Sequence, residues 1–274
     1  MLNTFIFILN GVSLNIDCLT IVCLTPDVKQ TLNKIKRLMP YRNLFEKGQP
    51  VHVISRAVDE RKIFTNRADC YRFIFQIYAA NIGKPNFNTR RTNVSKAAQS
   101  LLRGEEISDD FIIKEHPPLV NILDFALNIT HYHFRLLPSA ENSMPIFMHK
   151  LNMGFAKYFN SKYCRKGSLF SSRYKTIPIE SDFQSDAVSR YISVINPLDI
   201  YQPGWRENGL ANIQKAIQFL EDYEFSSFPD KINKRRSKIL ADEEVLDKWC
   251  TQYNSKENYL KFVKEFLKQR TNLY

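Results

Sequence analysis

Alternating apolar and polar positions, and short apolar runs bounded by proline or turn residues, predict four strands. They cover residues 51–57, 121–127, 131–137 and 173–180. Apolar positions at a period of 3.6 predict three helices between and after these strands. The first is capped by Asn66 or Asp69, the second starts at Ser143 with Pro145, and the third is capped by Ser181 or Asp182 and halted by Asn196-Pro197.

The order strand, helix, strand, strand, helix, strand is that of a ferredoxin-like split βαβ, here followed by one extra helix. We therefore predict an α+β fold, a ferredoxin-like antiparallel sheet with packed helices, plus a C-terminal helical region. The main domain is expected over 39–204, with an insertion at about 84–118, and the helical accessory region over 205–274.

Residues 1–38 differ in character from the rest of the chain. They are apolar but interrupted by Asn and Asp, so they fall short of a membrane span, and they lack the basic start of a signal peptide. Our hypothesis is that translation natively starts at Met39 and that 1–38 is an N-terminal extension from a mis-assigned start. The alternative is a weak amphipathic tether.

The net charge of the chain indicates which class of partner to expect. The chain of 274 residues carries 39 Lys and Arg against 28 Asp and Glu, a net charge of +11. Such a balance favours nucleic acid over a membrane as partner, because neutralised phosphates release counterions. A generally basic surface is the alternative. Five cysteines without a C-x-x-C pair indicate reduced thiols and a cytoplasmic protein.

His131 and His133 are the first candidate for chemistry. In a strand, residues two apart project to the same face, so both imidazoles can share one divalent cation. Two polar residues on the exposed face of a strand would give the same pattern.

A basic turn at 165–175 interleaves Arg and Lys with Phe170 and Tyr174. This mixture suits phosphate contacts and base stacking, although a basic loop with two core aromatics would look alike. The predicted DNA contacts are Arg56, Arg165, Lys166, Arg173, Lys175 and Arg190.

Phosphodiester chemistry also needs a nucleophile. A tyrosine phenolate is both a nucleophile and a good leaving group, so it can form a phosphoester that is later reversed. Tyr191, beside Arg190 on the helix after the fourth strand, is the candidate. It also falls on the apolar stripe of that helix, so a core role is the alternative, and Tyr158 and Tyr163 come next.

Together, four segments resemble the single-tyrosine HUH transposases of the insertion-sequence-200-like group, most closely the REP-associated tyrosine transposases. The segments are PVHVISRAVDERKIF (50–64), THYHFRLL (130–137), KYFNSKYCRKGSLFSSRYK (157–175) and RYISVINPL (190–198). The resemblance implies single-stranded DNA bearing a hairpin as partner and Mg²⁺ or Mn²⁺ as cofactor. It implies strand cleavage that leaves a 5′-phosphotyrosine link and a free 3′-hydroxyl.

By position, the resemblance makes His131 and His133 the metal ligands and Tyr191 the nucleophile. A polar third ligand is expected four residues after the tyrosine, where this chain has Ile195, and Asn196 comes one residue later. The expected function is thus a metal-dependent transposase that cleaves and joins single-stranded DNA. The alternatives are a non-catalytic hairpin-binding protein derived from a transposase and an HxH metallohydrolase that uses water. Homodimerisation is left open.

Overall fold

The computed structural model describes residues 6–9, 12–15, 48–86, 91–171, 173–249 and 256–271. The chain divides into two compact units, 1–44 and 45–274. In the first unit, strands β1 (Ile6–Leu9) and β2 (Val12–Asn15) pair antiparallel. All remaining elements belong to the second unit.

The strands of the second unit are β3 (Val51–Arg56), β4 (Gly83–Pro85), β5 (Ile112–Lys114), β6 (Val120–Leu127), β7 (His131–Pro138) and β8 (Lys175–Pro178). Its longer helices are α1 (Arg67–Ile82), α2 (Arg91–Arg103), α3 (Ser143–Lys162) and α4 (Asp182–Arg190). The later helices are α5 (Asn196–Tyr201), α6 (Trp205–Asn208), α7 (Ile213–Asp222), α8 (Phe228–Lys231), α9 (Glu243–Trp249) and α10 (Lys256–Thr271).

The predicted α+β class is confirmed. The four predicted strands form one sheet in the order β6-β7-β3-β8, and every neighbouring pair is antiparallel. This is the strand order of a ferredoxin-like sheet. The predicted insertion contains α2 and the β4–β5 pair. None of the described helices is both long and apolar enough to cross a membrane.

The two faces of the sheet have different chemistry, because side chains alternate along each strand. On β7, Tyr132, Phe134 and Leu136 are buried in the main core, which also holds Phe73 of α1 and Phe147 of α3. The alternate residues of β7 begin with His131 and His133, so the two histidines point to the opposite face. We call this opposite face the histidine face.

The helix that covers the histidine face does not stop where the sequence predicted. After α4 the chain makes a π-helical turn over Tyr191–Ile195, in which the Asn196 N–H bonds to the Tyr191 carbonyl, and then continues as α5. The predicted halt at Asn196-Pro197 is wrong. Pro197 falls in the first turn of α5, where a residue without an N–H is tolerated.

The C-terminal helices pack onto this same segment. Val194, Ile195 and Leu198 form a buried cluster with Trp205 and with side chains of α7, α8 and α10. The hydroxyl of Tyr259 on α10 lies 3.1 Å from the Ser193 hydroxyl in the π turn. The segment carrying Tyr191 is therefore held between the sheet and the C-terminal helices. The predicted boundary at residue 204 stays a prediction.

Candidate active site

Three of the predicted side chains lie together on the histidine face. The ring centroids of His131 and His133 are 5.0 Å apart, and the ring of Tyr191 lies 5.4 Å from that of His133. The strand β7 supplies both imidazoles, and the π turn after α4 supplies the phenol. Tyr191 is partly buried, in contact with the edges of two hydrophobic clusters, and its ring faces the imidazoles.

Each imidazole is held through the same ring nitrogen. Nδ1 of His131 is 3.0 Å from the Thr130 hydroxyl, and Nδ1 of His133 is 3.0 Å from Nε2 of His52. A ligating histidine is normally oriented by a hydrogen bond from the nitrogen that does not bind the metal. The arrangement thus leaves Nε2 of each ring as the ligand atom. Within the described residues, Nε2 of His133 is buried and has no hydrogen-bond partner.

Burial keeps these rings neutral. Burial, together with the smaller effect of the nearby charges of Arg56 and Arg206, lowers the pKa of His131 to about 4. Burial likewise lowers the pKa of His133 well below its ordinary value, with smaller effects from His52 and His131. The pKa of His52 also falls to about 4 through burial, partly offset by the carboxylate of Asp124. Neutral imidazoles have the free lone pair that a metal requires.

The π turn changes the interpretation of Asn196. In an α-helix, a residue five positions after Tyr191 would be rotated about 140° away from it. The π turn adds one residue to the turn, so Asn196 stacks over Tyr191. Its Oδ1 accepts a hydrogen bond of 2.8 Å from Nδ2 of Asn128, and its own Nδ2 is buried without a partner among the described residues.

The donor set fits a weakly held divalent cation. In the described part of the chain, no three His, Cys, Asp or Glu side chains are grouped so that they could hold a metal. The site instead offers two neutral imidazoles. The amide oxygen of Asn196, which accepts a hydrogen bond from Asn128, keeps a second lone pair. Among the described residues, the buried Nε2 of His133 has no hydrogen-bond partner, so its lone pair is available to a cation. The Nδ2 atom of Asn196 is a donor and cannot bind one.

Two guanidinium groups accompany the histidines. Arg56 lies directly opposite His131 in the β3–β7 register, so both side chains project from the same face of the sheet. The Cζ atom of Arg206 lies 5.4 Å from the centre of the Tyr191 ring. Positive charge beside two imidazoles and a phenol suits an anionic substrate. No sequence pattern indicates Arg206, which follows the tyrosine helix and belongs to none of the motifs.

The basic turn lies beside the same end of the sheet. The Ser171 N–H bonds to the Arg56 carbonyl, and Lys175 lies in one cross-strand row with Ile54 and His133. Lys166, Arg173 and Lys175 are exposed, and Arg165 bonds to the side chain of Asn160.

The predicted base stacking in this turn has to be divided between its two aromatic residues. Phe170 is buried, with its ring centroid 6.0 Å from that of Tyr132, so the stacking role predicted for it is wrong. The stacking role of Tyr174 stays a prediction.

Arg190 contacts the C-terminal helix α10. Its guanidinium lies 5.1 Å from the ring of Phe262 and 5.0 Å from the ring of Phe266, both on α10. Neighbouring residues on a helix project in different directions, which explains why Arg190 contacts the C-terminal helix while Tyr191 contacts the histidines. The DNA contact predicted at Arg190 stays a prediction.

The other candidate tyrosines have a structural role. The hydroxyls of Tyr158 and Tyr163 donate to the buried carboxylate of Asp69, at 2.7 and 2.6 Å. Lys162 bonds to the same carboxylate at 2.6 Å. These tyrosines therefore fasten α3 to the start of α1, and neither takes part in the contacts that join Tyr191 to the histidines.

A cleft of about 920 Å³ lies elsewhere, between α1, β6 and residues 230–247, and contains none of the three central side chains. Its basic residues are engaged by carboxylates: Arg235 with Asp230, Arg236 with Glu243, and Lys238 with Glu106. With its charges paired in this way, the cleft offers less to a phosphate than the histidine face does.

Comparisons with known proteins leave the family open. No family model matches the chain, and no curated protein matches it. A solved structure described as the REP-associated tyrosine transposase bound to a REP hairpin is similar over 75% of this chain and 92% of that one. Its sequence identity is 12% and the TM-score is 0.40. Similarity at this level establishes neither family nor function.

Proposed function

We propose that this protein is a metal-dependent DNA strand transferase that uses Tyr191 as its nucleophile on single-stranded DNA beside a hairpin. The observation that carries the proposal is the 5.4 Å separation between the rings of Tyr191 and His133, on the face where His131 also projects. A phenol at this distance from the neutral imidazole of His133 can reach a phosphate held at the two histidines.

The chemistry follows from these groups. The phenol oxygen of Tyr191 attacks the phosphorus, the bond from phosphorus to the 3′-oxygen breaks, and the phenol proton passes to solvent. The leaving 3′-oxygen takes up a proton and becomes a 3′-hydroxyl, while the 5′-phosphate stays on the tyrosine. Because the phenolate is itself a good leaving group, a second 3′-hydroxyl can reverse the step and join strands.

Residues of this site would hold the cation and the DNA strand in place. His131 and His133 would present Nε2 to a Mg²⁺ or Mn²⁺ ion, with the Asn196 amide oxygen as third ligand. When bound, the cation supplies positive charge to the phosphate oxygens. The basic side chains Arg56, Lys175 and Arg173 are suited to placing the strand along the histidine face, since phosphate contacts fix position and orientation.

A labelled oligonucleotide tests the proposal. A hairpin with a single-stranded flank is incubated with the protein and Mn²⁺, then separated on a denaturing gel. A label at the 3′ end should appear on the protein, and a label at the 5′ end should appear on a shortened strand. Cleavage without any protein-linked label indicates a hydrolase that uses water, and binding without cleavage indicates a non-catalytic hairpin-binding protein.

A further inference from the structure

Arg206 packs against the ring of Tyr191, the proposed nucleophile. Its guanidinium carbon lies 5.4 Å from the Tyr191 ring centre. Burial alone would lower the pKa of Arg206, but hydrogen bonding and charge from Asp199 outweigh it, and a side-chain hydrogen bond with Tyr191 adds to the rise. The group that contacts the phenol is therefore a fixed positive charge.

The guanidinium is oriented by its neighbours. Nε of Arg206 donates to Oδ1 of Asp199 at 2.8 Å, and Nη2 donates to Oδ2 of the same carboxylate. The buried Trp205 donates its indole N–H to Oδ1 of Asp199 at 3.0 Å. A guanidinium carries more N–H donors than Asp199 accepts, and its planar fork matches the oxygens of a phosphate.

We propose that Arg206 is a catalytic residue of the strand transfer assigned to this site, an inference that rests on the proposed function. Its fork contacts the Tyr191 hydroxyl and binds a non-bridging oxygen of the scissile phosphate. Negative charge on the phenol oxygen and on the phosphate is greatest as the phosphorus–oxygen bonds exchange. A pre-oriented positive charge stabilises that state more than it stabilises the bound substrate.

A purely structural role for Arg206 makes different predictions. If its pair with Asp199 only fastens α6 to α5, removing either partner should have the same effect. If Arg206 acts on the reacting atoms, Asp199→Asn keeps the guanidinium and should cost far less than Arg206→Ala. If Arg206 acts on the reacting atoms, a small soluble guanidinium ion should also replace the missing group in Arg206→Ala. If its role is structural, the ion should have no such effect.

The test measures the initial rate of the protein–DNA adduct with Mn²⁺ and the Kd for the hairpin. We expect Arg206→Ala to lower the adduct rate by about 100-fold, as loss of one charge-stabilising donor does in other enzymes. Asp199→Asn should lower it by about tenfold, through poorer orientation. Millimolar guanidinium chloride should restore part of the rate of Arg206→Ala. Arg103→Ala, which removes an exposed arginine paired with Glu105, is the matched control and should keep the wild-type rate.

Several results would overturn the inference. Wild-type rates in Arg206→Ala, or equal losses in Arg206→Ala and Asp199→Asn with no rescue by guanidinium, would reduce Arg206 to a structural residue while the proposed function stands. No adduct with the wild-type protein would remove the proposed function and Arg206's role with it. Circular dichroism of each variant identifies any loss of rate that comes from unfolding.

Discussion

The Nε2 atom of His52 lies 3.0 Å from the Nδ1 atom of His133, so one imidazole fixes the orientation of the other. The two rings lie edge to edge, with centroids 5.2 Å apart and planes inclined by 24°. In the tautomer that can bind a cation, His133 donates its Nδ1 proton to His52 and keeps the Nε2 lone pair free. His52 therefore acts as the orienting partner of the proposed ligand.

A pair of substitutions at His52 tests this role. His52→Leu removes the acceptor and should weaken Mn²⁺ binding by about 10- to 100-fold, as loss of an orienting partner does at other metal sites. His52→Gln keeps an acceptor near the position of Nε2 and should retain most of the affinity. Titration of the protein with Mn²⁺, followed by electron paramagnetic resonance, gives both values. Equal affinities in the two variants would argue against an orienting role.

The pH dependence of stability offers a second test. The pKa of His131 is lowered to about 4, whereas an unfolded chain has a value of about 6.5. Between these values the unfolded state binds a proton that the folded state does not, so the free energy of unfolding falls as the pH falls from about 6.5 to about 4.

The substitution His131→Gln removes the imidazole that binds this proton in the unfolded state. Without added metal, the variant should lose less stability than the wild type between pH 7 and pH 5, by at most about 1.4 kcal/mol per pH unit. Urea denaturation at both pH values measures the difference, with His149→Gln at an exposed position as control. Parallel pH dependence in the wild type and His131→Gln would contradict the low pKa.

Substitutions at position 196 test whether Asn196 is a metal ligand. Asn196→Asp replaces an amide oxygen by a carboxylate, which hard divalent cations prefer, and should tighten Mn²⁺ binding. Asn196→Ala should weaken it. Asn208→Ala, at an exposed position of α6, is the control. If Asn196→Asp and Asn196→Ala bind Mn²⁺ equally, Asn196 is not a ligand and the π turn has another role.

A buried ion network joins the histidine face to the C-terminal helices. The carboxylate of Asp124 accepts a 2.6 Å hydrogen bond from Arg135 and forms a 2.7 Å ion pair with Lys231 on α8. Asp124→Asn leaves two buried cations without their counter-charge and should destabilise the protein by about 3 kcal/mol or more. Glu105→Gln, which breaks an exposed pair, should change stability far less. Comparable losses in urea denaturation would show that the network contributes little.

Much of the fold was predictable because it follows from periodicity. The alternation in 51–57 and 131–137 gave strands, and it placed His131 and His133 on one face. Three parts of the site have no such signal. His52 looks like any polar residue in an alternating strand, and its contact with His133 depends on strand pairing. The π turn depends on packing against the sheet and α10. Arg206 reaches Tyr191 only because the chain folds back after α5.

The same reasoning explains the correction at Phe170 and the surroundings of Arg190. Phe170 sits in a basic turn, but its backbone pairs with Ala57 at the end of β3, which turns the ring into the core. Arg190 is adjacent to Tyr191 in sequence, yet it faces α10, an element that no local pattern could place.

The most direct measurement of the central claim is the identity of the residue that carries DNA after reaction with Mn²⁺. The adduct is digested with protease and nuclease, and the modified peptide is sequenced by mass spectrometry. We predict a nucleotide phosphate on Tyr191, no adduct in Tyr191→Phe, and unchanged adducts in Tyr158→Phe and Tyr163→Phe. A modified residue other than Tyr191, or an adduct that persists in Tyr191→Phe, would contradict the account.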